Sequence, residues 1–387
     1  MTKRVVAAFV PLVDCAVLVA AKELRFAVAE GIELDLRKEP SWASLRDHLN
    51  LGYVDCAHAL APLPIASSLG VGHVHVDCAV PFVLGRGGNA ITVSTSLYRE
   101  MCSAVGGAVP FEPAAMGRAL AMAAALRIKP LTLGMVFPFS SHNFDLRYWL
   151  AAAGVDPDRD VRLVSIPPPL MVESLAAGQV DGFCVGEPWN SLAVAKGIGR
   201  IVATKSQLFP GGVEKVLTVR PTLGALRDVL GPLLRALDAA AAWAEASANH
   251  AELASILGRE EYVGAPAALI ELALGGQLSL DAHDSVTDPD FMYFHRRAAN
   301  VPRAEEALWI YAQMLRWGQM PPSAASESAA RKVFRPDLYR EYLPSQGDIA
   351  MPAAFDGIEF TPGDVAGYLD GFRIRTSFVP SPSVAEP

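Results

Sequence analysis

Two short stretches of this chain follow one plan, and that plan restricts the fold more than any other feature. Leu51–Ala57 reads LGYVDCA and 177–183 reads AGQVDGF, so that Gly52, Val54 and Asp55 match Gly178, Val180 and Asp181 at one constant offset. Each has a helix closing at glycine, the residue that most easily takes the left-handed conformation past a helix end. A short apolar strand follows in both. The second copy runs on through Val180–Trp189, VDGFCVGEPW, into a turn bearing a carboxylate and an indole. We therefore expect two similarly built α/β units, each ending a strand at a common cleft.

The rest of the chain extends this pattern. Val5–Phe9, Ile32–Leu36, Val54–Ala57, Val80–Leu84 and Ala90–Ser94 read as strands, separated by helices at Ala16–Glu30, from Trp42 to Leu49 with Ser41 as N-cap, and from Pro62. A second run follows: a helix over Pro113–Arg127, strands over Leu131–Val136, Val161–Ile166, Asp181–Val185 and Ile201–Thr204, and helices between them. Ser141 is read as the cap of a helix from Asn143, and Pro188 starts a helix. Glu214–Val219 returns as a strand, and Pro221–Leu257 is helical with a break expected at Gly231-Pro232. Such alternation predicts parallel or mixed sheets wrapped by helices, with ligands beyond the carboxyl ends of the strands.

At 387 residues the chain exceeds what one core usually fills, so two lobes are expected. A net charge of −8 argues against direct nucleic-acid binding, yet leaves room for a small anion held by a buried cation. Five cysteines without CxxC spacing read as reduced core thiols. Met1–Val13 has the charge and apolar run of a signal peptide, but Pro11, Asp14, Lys22 and Glu23 interrupt it, and Arg4–Phe9 reads better as the first strand. No apolar run is long enough to span a bilayer. Pro380–Pro387 has the composition of a disordered tail.

The dinucleotide, P-loop, zincin and nucleophile-elbow signatures are missing, so no catalytic set is assigned. His73 and His75 alternate in a strand-like segment, but no partner has metal-ligand spacing, and no metal or cofactor is expected. His142 lies where a helix N-terminus could hold an anion, or where a capping turn exposes a histidine. Gly85–Asn89 is either a simple turn between strands or a cradle of backbone N–H groups completed by an amide. Trp42 either packs in the core or offers its indole N–H to a cleft. Lys215 is either the counter-charge of a cleft or a solvated edge lysine.

Taken in order, VPLVDCA, KEPSWASLRDHL, HALAPLP, GGNAITVS, FPFSSHNFDLRYWLAAAGVDPDRDV, PPPLMVESLAAGQVDGFCVGEPW and EKVL resemble the nitrate-binding proteins of ABC importers and their bicarbonate-binding relatives. The likeness covers about residues 4–375. It implies a type II periplasmic-binding-protein fold: one lobe from 1–94 plus 206–375, another from 95–205, with 376–387 as a tail. It places the anion ligands on Trp42, Gly88, Asn89, His142 and Lys215, with Pro168 and Val185 lining the site. Asn89 stands where the importer proteins have a longer glutamine. The importers' binding proteins carry segments upstream of the first strand, and this chain begins almost at that strand. In that it resembles cytoplasmic nitrate/nitrite sensors of the NasS type, whose partner is the RNA-binding antiterminator NasT.

Nitrate is planar, monovalent and accepts hydrogen bonds without donating any, so its site needs donors and a positive charge and should keep free carboxylates away. Bicarbonate would also want an acceptor. The resemblance therefore implies a nitrate- or nitrite-binding sensor, not an enzyme, with the importer's binding component as the alternative. It leaves Glu187 and Trp189 bracing the turn of Val180–Trp189.

Overall fold

A computed structural model describes residues 2–224, 227–344, 351 and 353–379. The tail assigned to Pro380–Pro387 lies outside the described residues. The first lobe is built on a six-stranded sheet. Its strands are β1 (Lys3–Phe9), β2 (Ile32–Lys38), β3 (Cys56–Leu60) and β4 (Ala79–Gly87), joined by two further strands later in the chain. The second sheet has five: β5 (Asn89–Ser94), β6 (Leu131–Met135), β7 (Val161–Ser165), β8 (Gly182–Gly186) and β9 (Gly199–Thr204). The chain then returns to the first sheet as β10 (Val213–Val219). After a small hairpin, β11 (Gln277–Ser279) with β12 (Ser285–Thr287), it adds an edge strand β13 (Met292–Tyr293).

The strand orders are β2-β1-β3-β10-β4-β13 and β7-β6-β8-β5-β9. In both, the first three strands are parallel and the fourth is antiparallel to its neighbours. Thus β3 and β8, the two strands of the repeated motif, hold equivalent places. The matching aspartates do the same work. Asp55 N–H donates to Val6 O at 2.9 Å while its Oδ2 accepts from Val6 N–H at 2.8 Å. Asp181 repeats both bonds with Thr132, at 2.7 and 2.8 Å. Each aspartate extends a parallel ladder by one rung with its side chain, and Gly52 and Gly178 have the positive φ expected of helix ends.

Several local expectations change. The loop Gly85–Asn89 is neither a hairpin turn nor a cradle. β4 runs to Gly87, β5 begins at Asn89, and they belong to different sheets, so Gly88 is a one-residue crossover. The boundary between the sheets therefore falls at 88/89, and 89–94 belongs with the second lobe rather than the first. Gly87 must be glycine: its φ is +70° and a Cβ would lie 2.1 Å from Phe291 O. The second crossover, between β9 and β10, lies beside the first, with Gly87 N–H donating to Gly212 O and Arg86 to Gly211 O.

Residues 355–376 reach the second lobe as well as bonding the helix Ala304–Arg316, where Trp309 and Gln313 donate to Tyr368 Oη. Asp356 accepts from Tyr148 Oη, Phe355 N–H donates to Leu208 O, and Thr376 Oγ1 donates to Asp158. The first long helix is interrupted at Arg25, which is left-handed, giving Ala16–Glu23 and Phe26–Ala29. Ser41 caps its helix as expected, with Ser44 N–H 3.2 Å from its Oγ. Ser140, not Ser141, caps the helix Ser141–Ala152. Pro232 lies within the continuous helix Arg227–Glu245 and does not break it. His73 and His75 lie in irregular backbone rather than a strand.

Candidate functional site

The carboxyl ends of β1, β3 and β8, the start of each crossover strand and two helix N-termini converge where the lobes meet. β10 brings Glu214 and Lys215, β3 brings His58, the loop after β1 brings Asp14, and β5 opens with Asn89. The helix Trp42–Leu51 starts with its indole here, and Ser141–Ala152 supplies His142 and Asp145. All of these side chains are buried.

Lys215 is not a lone counter-charge. Its Nζ lies 2.7 Å from Asp14 Oδ2, 2.8 Å from Glu214 Oε1 and 5.5 Å from the Trp42 ring centroid. Nor does the site keep carboxylates away, because each one present has a cation. Asp14 is also 3.0 Å from His58 Nε2, and Glu214 Oε2 is 3.1 Å from Lys205 Nζ, which in turn lies 3.0 Å from Asp145. Burial pushes Asp14 and Glu214 up, but their ammonium partners outweigh it and both titrate below the ordinary carboxylate range. For Lys205 and Lys215 burial pulls down, and the carboxylates more than reverse it.

Around this ion-paired core stand polar atoms with no hydrogen-bond partner among the described residues: Trp42 Nε1, both Asn89 amide atoms and His142 Nε2. An unpaired buried polar group costs about 1–3 kcal/mol; the open indole N–H, amide N–H and single imidazole N–H suit something that accepts, while Asn89 Oδ1 is left as an acceptor. The His142 ring is fully buried, contrary to the exposed capping alternative, and burial lowers its pKa to about 3 although Glu214, 3.7 Å away, pulls the other way. Neutral His142 therefore offers one N–H. Gly88 does not join the donors: its N–H is spent on Phe291 O at 2.6 Å and its carbonyl on Glu187 N–H. Of the five expected ligands, four side chains meet at this point and the glycine shapes the crossover.

Val185 is buried in β8, its carbonyl held by Asn190 Nδ2 at 2.8 Å. Its neighbour Gly186 is the close approach: a Cβ there would lie 3.4 Å from Asn89 Oδ1 and 3.5 Å from Asp14 Oδ2. Pro168 is buried between Pro167 and Pro169, which line the mouth, a cavity of about 560 Å³ that also touches Pro11, Ser41 and Trp189. Two hydrogen bonds close the lobes there, Trp189 Nε1 to Pro11 O at 3.2 Å and Val13 N–H to Glu187 O at 2.8 Å. Among the described residues no group of three or more His, Cys, Asp and Glu is arranged to hold a metal ion.

Glu187 turns back into its own helix, its Oε2 accepting from Ser191 N–H, and burial raises its pKa to about 7. Since that pKa lies above the ordinary value, the group favours the folded state at low pH. That contribution fades as pH rises from the unfolded value to 7, a span worth roughly 3 kcal/mol. Glu187→Gln should flatten the stability–pH curve over this range in urea titrations and be the more stable protein above it. An unchanged curve would show that Glu187 is already ionised in the fold.

Sequence reasoning missed Asp14, His58, Asp145, Lys205 and Glu214. Glu214 and Lys215 are adjacent in a strand, where successive side chains ordinarily point to opposite faces, which hid the pairing. The others are far apart in the chain, and one of their contacts, Lys205 to Glu214, runs across the lobes.

A model of the NMT1-like family matches residues 2–258. The nitrate import ATP-binding protein NrtC of Synechocystis is 35% identical over 389 residues, covering 95% of this chain; the chain spans only 55% of NrtC. The nitrate/nitrite-binding protein NrtA of Synechococcus elongatus is 31% identical, covering 96% of this chain and 87% of NrtA. The crystal structure of the periplasmic nitrate-binding protein NrtA from Synechocystis superposes with a TM-score of 0.87 at 27% identity, covering 96% of this chain and 99% of that one. Two sheets with two adjacent crossovers, a buried donor cluster between them and these matches agree: the chain has a periplasmic-binding-protein fold and belongs to the NMT1-like family, with NrtA nitrate/nitrite-binding proteins among its homologues.

Proposed function

We propose that this chain binds nitrate or nitrite between its lobes and serves as the solute-binding component of an anion importer. The observation that carries the reading is the set of buried, unpartnered groups around the ion-paired Lys215: an indole N–H, an amide and an imidazole. A monovalent, accept-only anion uses such donors without offering any of its own. Bicarbonate fits less well, because Asp14 and Glu214 are engaged by cations and Glu187 faces its own helix, which leaves the neutral Asn89 Oδ1 rather than a carboxylate to accept its O–H.

Calorimetric titration with sodium nitrate, nitrite and bicarbonate tests this. Nitrate or nitrite should bind at least about tenfold more tightly than bicarbonate, a difference of about 1.4 kcal/mol. Tighter bicarbonate binding would overturn the assignment. Trp42→Phe should weaken nitrate by about 10–100-fold, the worth of one hydrogen bond to a charged group, while its cost to fold stability is that of lost packing alone, since Trp42 Nε1 has no hydrogen-bond partner among the described residues.

The similarity to NrtA favours the importer's binding component over the sensor expected from the sequence. The sensor reading makes its own demand. The protein would hold a NasT-type antiterminator without nitrate and release it on nitrate addition, in size-exclusion chromatography of the purified pair. A pair that never forms, or that ignores nitrate, leaves the importer reading alone.

A further inference from the structure

The buried charges form one continuous chain across the cleft: Asp14, Lys215, Glu214, Lys205, Asp145, in which successive contacts are 2.7, 2.8, 3.1 and 3.0 Å. Both ends are carboxylates, so two ammonium groups face three negative groups. Asp14 has Lys215 and, at its other oxygen, His58; Glu214 touches both ammonium groups. Asp145 has one cation, and that one is shared with Glu214.

A monovalent anion lodged among the open donors adds a further negative charge where every neighbour is buried. Two like charges about 5–6 Å apart at an effective dielectric of 20 repel by about 3 kcal/mol, or about two pH units on a carboxyl group. The chain relieves that repulsion most easily by neutralising its least compensated member. We propose that the anion is taken up together with a proton, and that the proton lodges on Asp145. The inference rests on the anion-binding reading and adds a second ligand to it.

The surroundings support the choice. Burial, opposed by Lys205, already raises Asp145 to about 6, so a modest push carries it past neutrality. From its own helix Asp145 has His142 near it, and Arg147 is directed away to Asp158. From the crossover segments it faces Lys205 and Glu214, from β5 the Asn89 amide, and from β8 only Cys184, whose thiol burial keeps protonated. The packed helix Pro113–Ala125 carries Arg118, which is exposed, and β6 carries no charged residue.

The test is calorimetry of the full chain with sodium nitrate in buffers of different ionisation enthalpy, with affinity followed from about pH 6 to about pH 8. Wild type should take up most of a proton per anion near pH 7 and about half a proton at either end of the range, and its affinity should fall most steeply near pH 7, by somewhat less than tenfold per unit. Asp145→Asn keeps an oxygen for Lys205 and should bind nitrate with no buffer dependence and a flat pH profile. Glu187→Gln, the other buried carboxyl titrating near neutrality, should leave the uptake in place. Buffer-independent heat in wild type overturns the inference even if the variant fails to fold, as does uptake that survives Asp145→Asn or vanishes in Glu187→Gln. Nitrate binding without proton uptake defeats this inference alone. No binding of nitrate in any buffer defeats the anion reading and this inference together.

Discussion

Lys215→Ala should abolish nitrate binding and, unlike a simple ligand deletion, also destabilise the fold by roughly 3–5 kcal/mol, the usual cost of stripping one partner from a buried ion pair. The reason is geometric. Lys215 Nζ is the cation that Asp14 and Glu214 share, at 2.7 and 2.8 Å, and it is fully buried. Without it Asp14 keeps only His58, and Glu214 keeps Lys205. Denaturant unfolding with calorimetry separates the two effects. Lys215→Ala with Asp14→Asn should recover part of the stability, since a buried charge goes with its partner, but none of the affinity. Unchanged nitrate affinity in Lys215→Ala would falsify the site itself.

Arg86→Met should cost a similar amount, roughly 3–5 kcal/mol, without touching the ligand. The guanidinium is 1% exposed and forms an ion pair with Glu306 while donating to the carbonyls of Ala299, Gly211 and Val301. Glu306 would keep only Arg303, 3.6 Å away. Because one of those carbonyls lies in the second crossover and Arg86 itself at the end of β4, just before the first, the loss should also loosen the lobes and weaken nitrate binding indirectly. Arg86→Met with Glu306→Gln should regain stability through removal of the orphaned charge. A loss below about 1 kcal/mol in the single variant would put this pair with ordinary surface pairs and remove it from the hinge.

The architecture was legible because it repeats. The Gly-x-Val-Asp motif at Gly52–Asp55 and Gly178–Asp181 recorded the shared place of β3 and β8 in two sheets of the same order, and the aspartates proved to have a backbone role no composition reveals. Of the site, Trp42, Asn89, His142 and Lys215 could be placed through resemblance, since each opens a strand or helix at the cleft. Gly88 misled because a glycine beside a ligand residue suggests a free N–H, and whether Phe291 takes that N–H is decided some 200 residues away. The charges that accompany Lys215 were unreadable for the same reason. His58, Asp14, Asp145 and Lys205 carry no shared spacing; the first sheet brings Asp14 to His58 and Lys215, the second lobe brings Lys205 to Asp145, and Lys205–Glu214 at 3.1 Å joins the two sets.

The segment 355–376 bears on how the lobes can move. It rests on the second lobe through Tyr148 and Asp158, while the helix Ala304–Arg316 beside it packs on the first-lobe helix Pro62–Leu69. The junction between them is Arg316, whose guanidinium lies 3.6 Å from the Phe372 ring centroid and 4.7 Å from that of Tyr148. Directional bonds reinforce that junction: Trp309 Nε1 and Gln313 Nε2 donate to Tyr368 Oη, Arg316 Nε to Ile374 O, and Thr376 N–H to Arg316 O at 2.8 Å. The segment is thus a strap fastened to the helix Ala304–Arg316 at one end and to Tyr148 and Asp158 of the second lobe at the other. Parting the lobes means undoing two fastenings, this strap on one flank and the bonds of Trp189 to Pro11 and Val13 to Glu187 on the other, so that the turn of Val180–Trp189 shares the threshold for motion with the last helix among the described residues.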